Sequence, residues 1–348
     1  MPPRWIVMFL LAASVFTAFW IANRSPDAPF SLGGAAEVLG LGGLGSLVGL
    51  DGGPANHSRA SESGDANTAA ADRPLIVPDV PRDAIPPLDS PAYVSVSQAG
   101  RDLTNDDFVL VTLFDDEVFA YPERIMNWHE IVNDHTSQGT PFAATFCPLC
   151  RSGIVFDRRL EDGTVIEFGN TGSLYESAMV MYDRQTNSDW AHVEGVAIRG
   201  SLRGTKLTVL PSGMITFGQL RRDHPQAKVL SFDTGHDRPY DRNPFAGYED
   251  ADGAIPFPLS KRDERLPLKT RVLGLEFNGQ AKAYPITVES PSEFQDELVG
   301  GQAVRVEFNL ADASAVAVDP ATGDPLPQLN TFWFGWSVSH PDTQIAEY

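Results

Sequence analysis

A β-rich α+β fold is predicted for the globular part of this chain by three observations. Short apolar runs bounded by turn formers recur from about residue 105 onward, helical periodicity is confined to a few short stretches, and one strand-turn-strand unit occurs twice. The first unit reads Phe108-Val109-Leu110-Val111-Thr112-Leu113-Phe114, then Asp115-Asp116, then Val118-Phe119-Ala120-Tyr121-Pro122. The second reads Arg271-Val272-Leu273-Gly274-Leu275-Glu276-Phe277, then Asn278-Gly279, then Gln280-Ala281-Lys282-Ala283-Tyr284-Pro285. Asn-Gly is a strong hairpin signal because both residues accept positive φ.

Laid over one another, the two units align Val109 with Val272, Phe114 with Phe277 and Tyr121-Pro122 with Tyr284-Pro285; further on, Gly139, Phe146 and Asp157 meet Gly301, Phe308 and Asp319. An internally duplicated, β-hairpin-containing module is therefore expected within one globular domain, with copies near residues 105–165 and 268–325. The second copy has Asn309 where the first has Cys147. Helices are expected at 124–134, 218–224 and 287–298.

The segment before the domain has a different character. Arg4, an uncharged apolar stretch over 5–22 and Arg24 mark residues 1–24 as a signal anchor or signal peptide, and the stretch just reaches membrane-spanning length. Small residues at the positions a signal peptidase reads are poorly placed, since Phe16 precedes Ala18 and Trp20 precedes Ala22, which favours an uncleaved anchor. Residues 25–72, rich in Gly, Ala and Ser, have no apolar period and are expected to form a flexible spacer. The globular domain is assigned to 73–348, entered through a Pro-punctuated lead-in. These features predict a membrane-anchored protein whose domain lies outside the cytoplasm, in the periplasm or at the cell surface.

With 46 acidic and 26 basic residues the formal charge is -20, which repels phosphate backbones, so no nucleic-acid partner is expected. The identity of a protein or small-molecule partner is left open. No Gly-rich phosphate loop, Gly-x-Ser-x-Gly elbow or His-Glu-x-x-His helix is present.

Chemistry concentrates at Cys147-Pro148-Leu149-Cys150, which holds the only two cysteines. Haem attachment needs His after the second cysteine, and Arg151 stands there. A thioredoxin-like site needs a helix after the motif, whereas Ser152-Gly153-Ile154-Val155-Phe156-Asp157 reads as a strand. Two thiolates three apart on a turn resemble one knuckle of a zinc site, completed by ligands from elsewhere. His129 is the expected co-ligand of Cys147 and Cys150, with His192 and His224 also available, and zinc or copper the expected ion; Cu(I) could add Met179 or Met181. A redox-active dithiol and an inert or disulfide-bonded structural pair are the competing readings.

If 124–134 is helical, His129 and Asn133 share one face, with Glu130 and Asp134 beside them, as a polar cluster near the cysteine-bearing strand or as a capped, exposed helix end. His129 is expected within about 6 Å of the cysteines, given metal-ligand bonds of about 2.0–2.3 Å. Asp183-Arg184 reads as a buried ion pair, and Trp333, Phe334 and Trp336 as core.

Several motifs in order carry a resemblance: Ile85-Pro86-Pro87-Leu88-Asp89, Ala120-Tyr121-Pro122, Trp128-His129-Glu130-Ile131-Val132-Asn133-Asp134, Thr145-Phe146-Cys147-Pro148-Leu149-Cys150, Phe156-Asp157-Arg158, Gly172-Ser173-Leu174-Tyr175, Val180-Met181-Tyr182-Asp183-Arg184-Gln185-Thr186 with Ser188 and Trp190, Phe332-Trp333-Phe334-Gly335-Trp336 and His340-Pro341-Asp342. On these, from about residue 83 to the end, the chain resembles the bacterial domain of unknown function 3179. Arg151 departs from the family, which usually has Gly there. The resemblance implies a shared fold unit and no activity. Tyr175, Asp183, Arg184 and Trp190 join Glu130, Asn133 and Asp134 as site candidates. The expected function is binding of a metal or cofactor; a thiol redox protein and a non-catalytic binding or scaffold module are the alternatives.

Overall fold

Alternating apolar side chains build the first sheet. Strands β2 (Phe108–Phe114) and β3 (Glu117–Pro122) pair antiparallel across Asp115 and Asp116, whose φ values of 53 and 60 put both in the left-handed region that a hairpin turn requires. With β1 (Tyr93–Ser95), β12 (Ser212–Thr216) and β13 (Lys228–Leu230) they give the order β1-β13-β3-β2-β12, in which β13 runs parallel to β3. Period-two alternation sorts the side chains. Val109, Val111 and Ala120 pack on helices α1 (Val96–Ala99) and α3 (Phe217–Asp223), while Leu110, Phe119 and Tyr121 face Phe142, Phe146 and Val155 of the next sheet. The computed structural model describes residues 80–249, 255–287, 290 and 294–348, all within the unit Ala69–Tyr348.

The central sheet runs β20 (Gln344–Ile345), β15 (Gln280–Pro285), β14 (Arg271–Phe277), β19 (Leu329–Phe332), β6 (Ser152–Asp157), β5 (Pro141–Cys147), β4 (Ile131–His135), and the short β11 (Val209–Leu210) pairs with β6. Every residue of β5 is buried, as suits a strand covered on both faces. A four-stranded sheet, β10 (Val196–Arg199), β9 (Asp189–Ala191), β8 (Ala178–Asp183), β7 (Phe168–Tyr175), lies beside it, and a three-stranded one comprises β16 (Phe294–Val299), β17 (Gln302–Asn309) and β18 (Ser314–Val318). The largest buried cluster joins Phe156, Phe168, Trp190, Phe332, Trp333 and Trp336 with both cysteines. Truncating Trp190 or Trp333, each fully buried, costs about 3–5 kcal/mol at such sites.

The fold is strand-rich with few short helices, and three local expectations change. The helix expected at 124–134 is α2 (Glu123–His129), closed by Glu130 at φ 59; from Ile131 the chain is strand, because Ile131 and Val132 are fully buried against β5 and pairing overrides helical propensity. In 287–298, residues from Phe294 on form β16, paired along its length with β17; 288, 289 and 291–293 lie outside the described residues. Helix α4 (Trp333–Ser339) was not foreseen, since its aromatic run carries no helical period, although Trp333, Phe334 and Trp336 are core as expected. The helix expected at 218–224 is α3. The lead-in docks through Leu88, bridged in parallel to Val132.

No helix among the described residues is long and apolar enough to cross a membrane, and the apolar stretch 5–22 and the spacer 25–72 lie outside them.

Candidate metal centre

The hairpin β5-β6 presents the cysteines. Cys147 ends β5 and pairs across the ladder with Ser152, so Pro148, Leu149, Cys150 and Arg151 form the turn between them. Arg151 takes φ 50, a conformation that costs a non-glycine residue about 1–2 kcal/mol and that a glycine would adopt without this strain. Its guanidinium is held between Glu123 (3.2 Å) and Glu249 (2.6 Å) and lies over the Phe108 ring. The C-terminal chain clamps the turn as well: the Cys150 carbonyl accepts from Thr331 Oγ1 and from the Phe332 amide, each at 2.8 Å.

Strand β9 supplies the third group. His192 directly follows it, and its ring is fully buried with Cys147 Sγ and Cys150 Sγ, the three donor atoms lying within 4.8 Å of one another. A tetrahedral ion with bonds of about 2.0–2.3 Å needs ligand separations of about 3.3–3.8 Å, so the widest separation here would close by about 1 Å on binding. The ring tautomer follows from the hydrogen bonds. Thr145 Oγ1 donates its one proton to the Ile154 carbonyl (2.7 Å), so at 2.8 Å from His192 Nε2 it accepts, and Nε2 carries the proton. Nδ1 then turns its lone pair toward Ser152 Oγ (3.2 Å), which also lies 2.9 Å from Cys150 Sγ. Burial lowers the His192 pKa to about 3, so the ring is neutral and fit to ligate.

The two thiols differ. Burial works against a charged Cys147, but hydrogen bonds from the Cys150 side chain and from the backbone amides of Cys150, Met179 and Leu149 outweigh it and hold this thiol below its ordinary range. Burial and the neighbouring Cys147 push Cys150 well above it. Backbone amides aimed at sulfur stabilise a metal-bound thiolate in the same way they stabilise a free one.

Other polar groups border the cluster. Glu130 binds the Phe146 amide through its carbonyl, and its side chain accepts from Asn170 Nδ2 at 2.6 Å; burial first, then the charge of Cys147, raises its pKa well above the carboxylate range. Asn170 Nδ2 also lies 3.5 Å from Met179 Sδ. Tyr248 packs against the same core with its hydroxyl buried and without a hydrogen-bond partner among the described residues; burial, then the two cysteines, raises its pKa. Two buried sulfurs beside a neutral, tautomer-locked imidazole fit a bound ion.

His129 is elsewhere. Its Nδ1 binds the Pro86 carbonyl (2.8 Å), its Nε2 binds Tyr240 Oη (2.6 Å), and it is not a member of the Cys-Cys-His cluster. The expectation that it would join the cysteines assumed a helix running on past residue 130; the left-handed turn at Glu130 sends the Glu130 side, not the His129 ring, to Cys147. The helical face shared by His129 and Asn133 does not exist for the same reason. Asn133 clips Asp89 and both backbone groups of Phe168, and Asp134 accepts from Tyr121 (2.6 Å) and Tyr93. Asp183 is not paired with Arg184: it accepts from Ser188 N and Trp190 Nε1, whereas Arg184 reaches Asp89 and Glu167. Tyr175 is buried beside Val180 and Ala191, and His224 caps α3.

Reading the sequence missed Thr145, Ser152 and Tyr248 and ranked His192 behind His129. One signal was available, since a strand through Trp190 has period two and places residue 192 on the same, core-facing side.

Strand-rich layers around a buried Cys-Cys-His cluster define a β protein with a candidate metal centre. The chain belongs to the family described as protein of unknown function (DUF3179), whose sequence model matches residues 82–343. No curated protein and no solved structure matches it.

Proposed function

We propose that this is a metal-binding protein that holds one zinc or copper ion through Cys147 Sγ, Cys150 Sγ and His192 Nδ1. The observation that carries this reading is the convergence of the three donors within 4.8 Å, with the His192 Nε2 proton anchored by Thr145. Full-length protein should contain about one equivalent of Zn or Cu by elemental analysis, and Cys147→Ser and His192→Ala should each abolish it. Equal metal content in wild type and both variants overturns the reading.

The asymmetry of the two thiols favours a second reading, a redox dithiol with Cys147 as the nucleophile. Against it stands access, because Cys147 and Cys150 are 1% and 0% exposed and exchange needs a sulfur that a partner can reach. A dithiol that cycles with added disulfide at neutral pH without unfolding would favour the redox reading.

The apolar stretch 5–22 supports tethering of the domain outside the cytoplasm; digestion of the domain by protease added to spheroplasts, with a cytoplasmic control protein spared, tests it, and protection of the domain there overturns it. The second β module is read as a duplicate of the first. The ladder pair Val109↔Pro122 recurs as Val272↔Pro285, and Cys147↔Ser152 as Asn309↔Ser314, so the metal centre belongs to one copy only.

A further inference from the structure

We infer that segment 232–249 is a strap over the cysteine turn, and that it opens as a unit to let an ion reach Cys147 and Cys150. What it admits rests on the metal-binding reading above; its cover of the thiols stands by itself. Cys147, Cys150 and His192 are all buried, so an ion enters only when some part of their cover moves. Other parts of that cover are tied by backbone groups: Met179 of β8 donates its amide to Cys147 Sγ, and Phe332 of β19 donates its own to the Cys150 carbonyl.

The strap is tied differently. No helix or strand lies between Leu230 and Arg271 among the described residues, a span well past the roughly 12–15 residues that an unstructured connection ordinarily reaches, and long connections of this kind are commonly lids or binding loops. Among the described residues, the backbone-to-backbone bonds of 232–249 run only between its own residues two or three positions apart, as from Tyr240 to Arg238 and from Tyr248 to Phe245. Side chains fasten it to the rest of the domain, at two grips.

Helix α2 makes the first grip. Arg124 Nε donates to the Tyr240 carbonyl (3.0 Å) and Trp128 Nε1 to the Arg242 carbonyl (3.2 Å), and His129, whose Nδ1 proton goes to the Pro86 carbonyl, accepts at Nε2 from Tyr240 Oη (2.6 Å). The second grip is Glu249, held between Arg151 (2.6 Å) and Arg271 (3.0 Å), and Arg151 directly follows Cys150. Just before Glu249, Tyr248 packs against the buried cluster that contains both cysteines, its hydroxyl buried and without a hydrogen-bond partner among the described residues. A segment fastened by a few side-chain bonds, and closing over a hydroxyl it leaves unpaired, lies at the low-stability end of the fold and opens before the sheets do. His129, expected from the sequence as a ligand, thus acts on the site by holding its cover.

Alkylation of the cysteines by iodoacetamide in full-length apoprotein, followed by mass spectrometry over urea concentrations below the unfolding transition, tests this. Local opening exposes little surface, so the wild-type rate should depend weakly on urea, whereas labelling through global unfolding follows the steep urea dependence of stability. Glu249→Gln and Tyr240→Phe each loosen one grip and should speed labelling about 10-fold, and Tyr248→Phe, which removes the unpaired hydroxyl, should slow it. Val299→Ala, in the buried core between β14, β15 and β17, lowers global stability and should leave the rate at low urea unchanged. Zinc capture by the same apoproteins, followed with a colorimetric chelator, should rank in the same order, and a different order overturns the strap as the way in. Equal labelling rates in all variants, or rates that follow global stability with Val299→Ala the equal of Glu249→Gln, overturn the strap while leaving the metal centre standing. Labelling that ranks as expected in a protein that binds neither Zn²⁺ nor Cu⁺ supports the strap and overturns the metal-binding reading.

Discussion

Thr145 and His192 meet through one hydrogen bond of 2.8 Å, from Nε2–H to Oγ1, and the Ile154 carbonyl sets its direction by taking the threonine's own proton at 2.7 Å. Thr145 lies one turn of the pleat before Cys147 on β5, so a single strand places one of the two thiols and the group that orients the imidazole. Thr145→Val keeps the shape and removes the acceptor. Metal affinity should fall about 10- to 100-fold with stoichiometry unchanged, read by competition with a chelator of known affinity, and Thr145→Ser should restore most of it.

Gly335 on α4 has no room for a methyl group. Its Cβ would stand 2.8 Å from Thr331 Oγ1 and 3.2 Å from Cys150 Cβ, so Gly335→Ala must push the helix or the cysteine turn. A loss of about 1–3 kcal/mol is expected, at roughly 2–4 °C in Tm per kcal/mol for a domain of this size. Metal affinity should weaken with it, because Cys150 is the group displaced; an unchanged melting curve would show that α4 yields freely.

Two buried histidines should separate by function. Tyr240→Phe removes the hydroxyl that meets His129 Nε2 and should cost about 1–3 kcal/mol in urea unfolding, with metal content unaffected. His192→Ala should lose the metal. The reverse pattern would return His129 to the site.

The apoprotein should lose stability in acid. Burial holds His192 at about 3 and, chiefly for the same reason, His129 at about 4, while both titrate near 6.5 in the unfolded chain. Between those values the unfolded state binds more protons, so unfolding becomes easier as pH falls through 6.5 toward 4 and is insensitive to these groups above about 7. For His192 alone the effect is on the order of a few kcal/mol. Urea midpoints measured from pH 7.5 to 4.5 should decline, less steeply in His192→Gln; identical slopes for the two proteins would remove His192 as a contributor.

The sequence alone determined that the domain is strand-rich, that its hairpins lie at 108–122 and 271–285, that the cysteines sit on a turn following a strand, and that Trp333 and Trp336 belong to the core. These are local matters, carried by period-two alternation, turn chemistry at Asp115-Asp116 and Asn278-Gly279, and the apolar character of each run. Which histidine lies with the cysteines was decided by tertiary structure. His129 and His192 are alike as residues, and the nearer in sequence lies outside the cluster, because the left-handed turn at Glu130 breaks the helix and aims His129 at Pro86 and Tyr240. His192 reaches the site only because β8 lays Met179 against Cys147 and β9 pairs beside it, carrying the chain just past Ala191 to the sulfurs. The helix α4 and the clamp of Thr331 on Cys150 join segments 181 residues apart, and a contact of that span leaves no periodic trace in either segment.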